Sequence, residues 1–425
     1  MMKDREFTKA LKGLLTIKSV AVDSDVKGAP FGEGCREALD YMLDLCDGFG
    51  FRTKKVGDGL MGWAEIGEGD EIVGILAHLD VVPEGSGWNY PCFGLTEETV
   101  DGEERVYGRG ISDDKGPAMM CVFAMKELLD SGVKLNRRVR ILFGLTEERG
   151  EWYDMNYYRE HEELPTFGIT PDANFPAVYG EKGILILKLT MPLDGSGVDS
   201  VSGGTAHNMV PDSCEAVIGG EKFTASGRSA HGSQPEKGVN AIETLFDGLD
   251  KAHSGKLSDL ITKKFGMTCD GSLIGCKMSD EQSGALTMNL GVIEVKDGNI
   301  ELTVDIRYPV TKKGTDVTAI VAKECAPFGV AVSVDEDKAP VYMDKNGPLI
   351  CSLMEVYRAE TGDTTEAFTM GGGTYARAMK NIVAFGPHFP DSPETEHQKN
   401  EYMRVKDIEK AREIYKKTLL RLMEI

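Results

Sequence analysis

The sequence contains no apolar run long enough to cross a bilayer, and charges interrupt the apolar positions of its first residues, Met1 to Ser19. A membrane partner and a secretory leader are therefore not expected, and the chain reads as cytoplasmic. Positive charge is scarce: 48 Lys and Arg stand against 69 Asp and Glu, a net charge of −21. With no basic cluster to offset this, a nucleic-acid backbone would be repelled, which excludes that class of partner. The nine cysteines are an odd number, and the closest pair, Cys269 and Cys276, fits neither a disulfide framework nor a zinc knuckle. Reduced thiols serving as small core residues are the expectation. Internal repeats, low-complexity tracts and Pro/Ser linkers are missing. At 425 residues and about 150 per domain, the chain holds two or three domains.

Several catalytic signatures are absent as well. There is no GxSxG and no P-loop. Gly57 to Gly62 satisfies GxGxxG, but Trp63 to Ile66 reads as a strand where a dinucleotide site needs a helix N-terminus. Ser112 to Lys115 satisfies SxxK without a companion KTG. His161-Glu162-Glu163 lacks the second histidine of HExxH and sits in a charged run.

What is present is an alternation of helix and strand. Glu6–Ile17 and Cys35–Phe49 have helical patterning, and Ile72–Ala77 is a continuous apolar run of the kind buried on both faces of a sheet. Pro117 opens a helix that ends at Ser131-Gly132, and Val139–Leu145 is a second buried strand. This order predicts an α/β domain built on a mainly parallel sheet with covering helices. From Ile184 the texture changes to alternating strands. The clearest case is Leu290–Val295, a Lys296-Asp297-Gly298-Asn299 turn, and Ile300–Arg307, with Glu301, Thr303, Asp305 and Arg307 on the polar face. Helices over Val239–Ala252 and Asp316–Glu324 accompany these strands. Pro348–Thr361 and Val405–Glu424 then return to long amphipathic helices. The reading is one domain made of residues 1–183 and 339–425, interrupted by an inserted α+β domain over 184–338.

Acidic and imidazole groups stand at the ends of the predicted strands. His78-Leu79-Asp80 follows the first apolar run, at the edge of the crevice that open parallel sheets present to ligands. A carboxylate two residues from a histidine suits a metal-bound imidazole, whose second N–H normally needs an acceptor. Glu147-Glu148 follows the next strand, and two adjacent carboxylates in a crevice need a cation to offset their repulsion. Asp113-Asp114 precedes a helix, where one Asp would serve as a cap and leave the other available. Asp172 is a further carboxylate behind a short apolar segment. Oxygen and imidazole donors without thiolates are the chemistry of a hydrolytic zinc, manganese or cobalt site.

Five strings extend this pattern over nearly the whole chain: Ala77-His78-Leu79-Asp80-Val81-Val82-Pro83, Arg109 through Pro117, Thr146-Glu147-Glu148, Thr170-Pro171-Asp172-Ala173 and His397-Gln398-Lys399-Asn400-Glu401. In order and spacing they resemble the co-catalytic metallopeptidase family M20, which includes carboxypeptidase G2, acetylornithine and succinyl-diaminopimelate deacylases, and PepV-type bacterial dipeptidases. Tyr179 to Gly183, Asn208 to Asp212, Ser229 to Ser233 and Gly372 to Arg377 resemble the PepV type most closely.

The resemblance implies a two-metal dipeptidase, with zinc as the first choice of cation and manganese or cobalt as alternatives. It implies that Asp113 bridges the two metals, that His78 and Asp172 complete one site, and that Glu148 and His397 complete the other. Asp80 would orient His78, and Glu147 would act as general base on a water that bridges the metals and attacks a dipeptide. The Asp113–Asp114 peptide bond would be cis. The inserted domain resembles the family's lid, whose Asn208, His231 and Arg307 would reach the scissile carbonyl oxygen. Backbone amides at Gly372 and Gly373, with Arg377, would hold the substrate's terminal carboxylate; the alternative is that the glycine run is an ordinary loop. Arg149 and His207 stand where relatives commonly carry other residues, beside the expected substrate path. An N-acyl amino acid deacylase of the same family is the alternative enzyme, and a non-catalytic metal-dependent binding protein the alternative outside enzymes. A monomer is favoured over a homodimer.

Overall fold

The computed structural model describes residues 2–249 and 251–425; Met1 and Asp250, the latter inside the helix expected over Val239–Ala252, lie outside the described residues. In the first part of the chain, local chemistry starts the elements. The Asp4 carboxylate accepts from the Phe7 amide at 3.0 Å and caps helix Arg5–Thr16. Helix Lys115–Asp130 is buried on every side through its first eleven residues, as its nearly unbroken apolar sequence requires, and it packs against helix Val405–Leu422 and strand Ile72–His78. Its start is tight: a Cβ at Gly116 would lie 1.9 Å from the Ile111 carbonyl oxygen, so only glycine fits this approach.

Four strands form a parallel centre in the spatial order Arg138–Gly144, Ile72–His78, Phe167–Thr170 and Ile382–Phe385. Antiparallel strands flank it, Met61–Ile66 and Arg52–Val56 on one side and Ala177–Glu181 on the other. The sheet is therefore mixed around a parallel core. The chain moves from Ile72–His78 to Arg138–Gly144 on one side, then crosses back to Phe167–Thr170 on the other. This reversal opens a crevice at the carboxyl ends of the strands.

The chain divides into two compact units, one comprising Met1–Tyr179, Met343–Phe368 and Thr374–Ile425, the other Gly180–Tyr342 with Thr369–Gly373. These bounds differ by a few residues from 183/184 and 338/339. They also move the glycine run into the second unit, because the Lys182 amide donates to the Met370 carbonyl at 2.9 Å and Arg307 Nη1 to that of Gly371 at 2.9 Å. The second unit is a seven-stranded antiparallel sheet with its own apolar core. The expected hairpin pairs Thr287–Lys296 with Asn299–Tyr308 through Asp297-Gly298, both at positive φ (49° and 75°), the conformation of a type I′ turn. The far end of its polar face is not solvated: Asp305 and Arg307 are buried together. The helix expected over Val239–Ala252 covers only Ala241–Asp247, stopping at Gly248, and a second helix, Lys256–Lys264, follows. None of the described helices is long and apolar enough to cross a membrane.

Gly74 and Gly168 face each other in the parallel centre, where a Cβ on Gly168 would lie 2.0 Å from the Gly74 carbonyl oxygen. Gly168→Ala should therefore cost about 1–3 kcal/mol of stability, the usual penalty for overpacking a core. Thermal unfolding followed by circular dichroism checks this, and an unchanged melting temperature would contradict the strand spacing described.

Candidate active site

Each of the four parallel strands delivers polar groups from its carboxyl end. His78 is the last residue of Ile72–His78, Glu147 and Glu148 follow Arg138–Gly144, Asp172 follows Phe167–Thr170, and His397 lies on the loop after Ile382–Phe385. Asp113 enters at the N-terminal end of helix Lys115–Asp130, where the helix dipole favours negative charge. The Asp113–Asp114 peptide bond is cis. Asp114 occupies the cap position without capping through its side chain; its Oδ2 instead accepts from the His78 amide at 3.1 Å.

Asp113 is the centre of the cluster. Its Oδ1 lies 2.9 Å from His78 Nε2 and its Oδ2 2.9 Å from His397 Nε2. Asp172 Oδ2 is 3.8 Å from the same His78 nitrogen, and Glu148 Oε2 is 3.1 Å from His397 Nε2. One carboxylate thus stands between two histidine–carboxylate sets. Ligand atoms of His78, Glu147 and Asp172 lie within 4.8 Å of one another, as do those of His78, Asp113 and Glu148. This nitrogen and oxygen donor set fits divalent cations of the zinc, manganese or cobalt type.

The electrostatics describe a site built for positive charge. Burial first, then the Glu148, Asp113 and Asp80 charges, push Glu147 up to about 8 against the pull of His78. Burial and Asp113 likewise push Glu148 up to about 7, and Asp172 is driven well above the usual carboxylate range by the same causes. Burial opposes a charge on His397, but its hydrogen bonds to Asp113 and Glu148 prevail and raise it to about 11. His78 is raised well above its ordinary value in the same way by Asp113 and Asp80. Despite its burial Asp113 is held below the carboxylate range, because both imidazoles donate to it. Protons are retained where cations would otherwise offset the repulsion.

The second unit gathers a different group of polar residues. Asn208 and His231 are neighbours through a bridge between Met209 and His231, and the Gly232 amide donates to the Asn208 carbonyl at 2.6 Å. The Ser233 amide donates to His231 Nδ1 at 3.1 Å. A backbone N–H only donates, so Nδ1 is the acceptor and the neutral ring carries its proton on Nε2. Arg307 grips Asp305 with two bonds of 2.7 Å, and its Nη1 donates to the Gly371 carbonyl beside Gly372 and Gly373. His207 Nδ1 is 3.9 Å from Asp305 Oδ2. Arg377 belongs to the first unit, on the short helix Tyr375–Ala378, and Arg149 there pairs with Asp23 at 2.6 Å and Glu151 at 2.8 Å.

Residues 74–421 match the profile of Peptidase family M20/M25/M40. The protein YtjP of Bacillus subtilis (strain 168), a dipeptidase by provisional name, is 34% identical over 99% of this chain and 98% of its own. The chain belongs to this peptidase family. A Staphylococcus aureus (strain USA300) protein, also provisionally named a dipeptidase, is 35% identical over 95% of this chain and 94% of its own. The fold is shared with human carnosine dipeptidase 1, at 17% identity and a TM-score of 0.64 over 99% of this chain and 96% of that one. It is shared equally with an M20 family metallo-carboxypeptidase from Sulfolobus solfataricus, at 18% identity and a TM-score of 0.65 over 99% of this chain and 100% of that one.

In this M20 chain the supports of the cluster extend beyond the residues that sequence singles out. Asp80 reaches His78 Nδ1 through its backbone carbonyl at 2.9 Å, whereas its carboxylate stands 3.4 Å away. That carboxylate accepts from the amides of Glu147 (3.2 Å) and Glu148 (3.0 Å), so it shapes the turn as well as facing the ring. Asp154 accepts from the Leu145 and Thr146 amides at 2.6 and 3.1 Å and from the Tyr375 hydroxyl at 2.6 Å, and the Tyr375 ring meets His78 edge-on. Glu401 ties the loop before Asp113 through Arg109 Nη1, the amides of Gly110 and Ser112, and the Ser112 hydroxyl. Glu401, Arg109 and Tyr375 lie in strings that carry the family resemblance, though not marked there as supports; Asp154 lies outside them.

A group whose pKa is higher in the folded than in the unfolded chain binds more protons when folded, so its stabilisation is present at low pH and lost as pH rises through the folded value. Glu147 (about 8), Glu148 (about 7) and His397 (about 11) all have this sign. Chelator-treated protein should therefore melt at progressively lower temperature from about pH 5 to about pH 9, and added zinc should remove most of that decline. Calorimetry across this range, with and without zinc, is the check; equal slopes in both series would contradict the cluster's affinity for cations.

Proposed function

We propose that this M20 peptidase is a cytoplasmic dipeptidase that uses two divalent cations, zinc in preference to manganese or cobalt, to hydrolyse free dipeptides. The observation that carries the reading is the shared carboxylate, with Asp113 Oδ1 toward His78 and Oδ2 toward His397. We assign His78, Asp113 and Asp172 to one cation and Asp113, Glu148 and His397 to the other. The first unit is then the catalytic domain and the second the lid. The provisional dipeptidase names of relatives at 34–35% identity support the substrate class, and nine unpaired cysteines fit a reducing compartment. The size of the second unit favours a monomer.

Bound cations supply Lewis acidity, lowering the pKa of water and polarising the scissile carbonyl. The chain's residues do the rest. Glu147 lies among the ligands yet is left out of both assigned sets, which leaves its carboxylate available to handle protons. It takes the proton of the attacking water and returns it to the leaving amine. His231 offers the Nε2–H donor that a tetrahedral oxyanion needs, assisted by Asn208 and Arg307. The Gly372 and Gly373 amides, with Arg377, hold the terminal carboxylate.

Glu147→Gln should lower kcat by at least about a hundredfold, the range of a lost general base, while retaining both metals by elemental analysis. Wild-type turnover in this variant would remove Glu147 from its role. N-acetylation of a good dipeptide, or its extension to a tripeptide, should lower kcat/KM at least about tenfold, about 1.4 kcal/mol of transition-state binding. Faster cleavage of N-acetyl amino acids than of any free dipeptide would replace this reading with a deacylase.

A further inference from the structure

His397 has a positive φ of +61°, uncommon outside glycine, and its side chain is 55% exposed. The preceding residue, Glu396, points its carboxylate at His388, with Oε1 2.6 Å from the ring Nε2. His388 is nearly buried and belongs to the short strand Pro387–His388, which pairs in parallel with Ala173–Asn174 immediately after Asp172. The Ala173 amide donates to the Gly386 carbonyl at 2.8 Å and the Phe175 amide to that of His388 at 2.6 Å. Asp113, Asp172, Asn174, His388 and Glu396 surround a cavity of about 180 Å³. A chain of contacts thus runs from the segment bearing Asp172, through His388 and Glu396, to His397.

We propose that the His388–Glu396 pair is a brace that positions His397 and so sets the affinity of the cation held by Asp113, Glu148 and His397, leaving the cation held by His78, Asp113 and Asp172 largely unaffected. His388 and Glu396 are positioning residues, not ligands. The inference rests on the ligand sets assigned under Proposed function. Its physical basis is that a metal ligand on a mobile loop loses affinity through the entropy of ordering it, which an outer partner removes in advance.

The test is equilibrium dialysis of the full chain against chelator-buffered zinc, with bound metal counted, for the wild type, His388→Leu, Glu396→Ala and His388→Gln. The brace predicts that His388→Leu and Glu396→Ala each weaken the second zinc by about tenfold to a hundredfold, with the first zinc changed less than about threefold. A simple charge effect would weaken zinc binding in Glu396→Ala, which removes an anion, and would not weaken it in His388→Leu, which removes none. His388→Gln retains an N–H donor for Glu396 and should recover most of the loss. If His388→Leu fails to fold, Glu396→Ala, at a partly buried loop position, carries the test alone. Unchanged affinity at both sites, equal weakening of both, weakening in Glu396→Ala but not in His388→Leu, or His388→Gln behaving as His388→Leu would each overturn the brace. A wild type that binds fewer than two zincs would instead overturn the ligand assignment, and the brace with it.

Discussion

Six acidic side chains, Asp80, Asp113, Asp114, Glu147, Glu148 and Asp172, crowd the carboxyl rim of the sheet's parallel centre, and none is fully solvated. Carboxylates this close in a low-dielectric setting repel strongly unless each meets a positive partner or a donor. The surrounding architecture meets that constraint. Asp80 turns to the Glu147 and Glu148 amides, Asp114 to the His78 amide, Asp113 to two imidazoles, and the remaining charge calls for cations.

The same constraint accounts for the rigidity of the supports. The two-cation site proposed above would tolerate little misplacement of its ligands, and the turns bearing the assigned residues are fixed by buried carboxylates of a second kind. Asp154 and Tyr375 hold the turn that carries Glu147 and Glu148, and Glu401 and Arg109 hold the approach to Asp113. Helix Lys115–Asp130 anchors that approach from within the core, where its side chains leave no room for displacement.

The second unit prepares its functional groups by short-range chemistry. His231 is fixed in one tautomer by the amide of Ser233, two residues on, and Arg307 is gripped by Asp305, two residues before it on the same face of a strand. In both cases the partner is specified by sequence spacing, either a tight turn or the two-residue period of a strand. The side chains proposed as oxyanion donors are thereby oriented by contacts within one unit.

Sequence alone determined a good deal of this. The apolar runs and their order placed two strands of the parallel centre and its long helix, because burial on both faces demands such runs and a crossover helix must link parallel neighbours. The motifs of the M20 resemblance named the groups that gather at the rim. Tertiary structure decided the rest. Sequence spacing does not say that Asp80 meets His78 through its carbonyl and the Glu147–Glu148 turn through its carboxylate, since that depends on two strands lying side by side. Asp154 with Tyr375, and His388 with Glu396, are partners brought together from different segments by packing. The helix over Val239–Ala252 ended early, at Gly248, because glycine gains too little from helical order to continue it where burial ends. The division between local and long-range information follows the physics: periodicity and caps act within a few residues, whereas electrostatic compensation depends on distance in space alone.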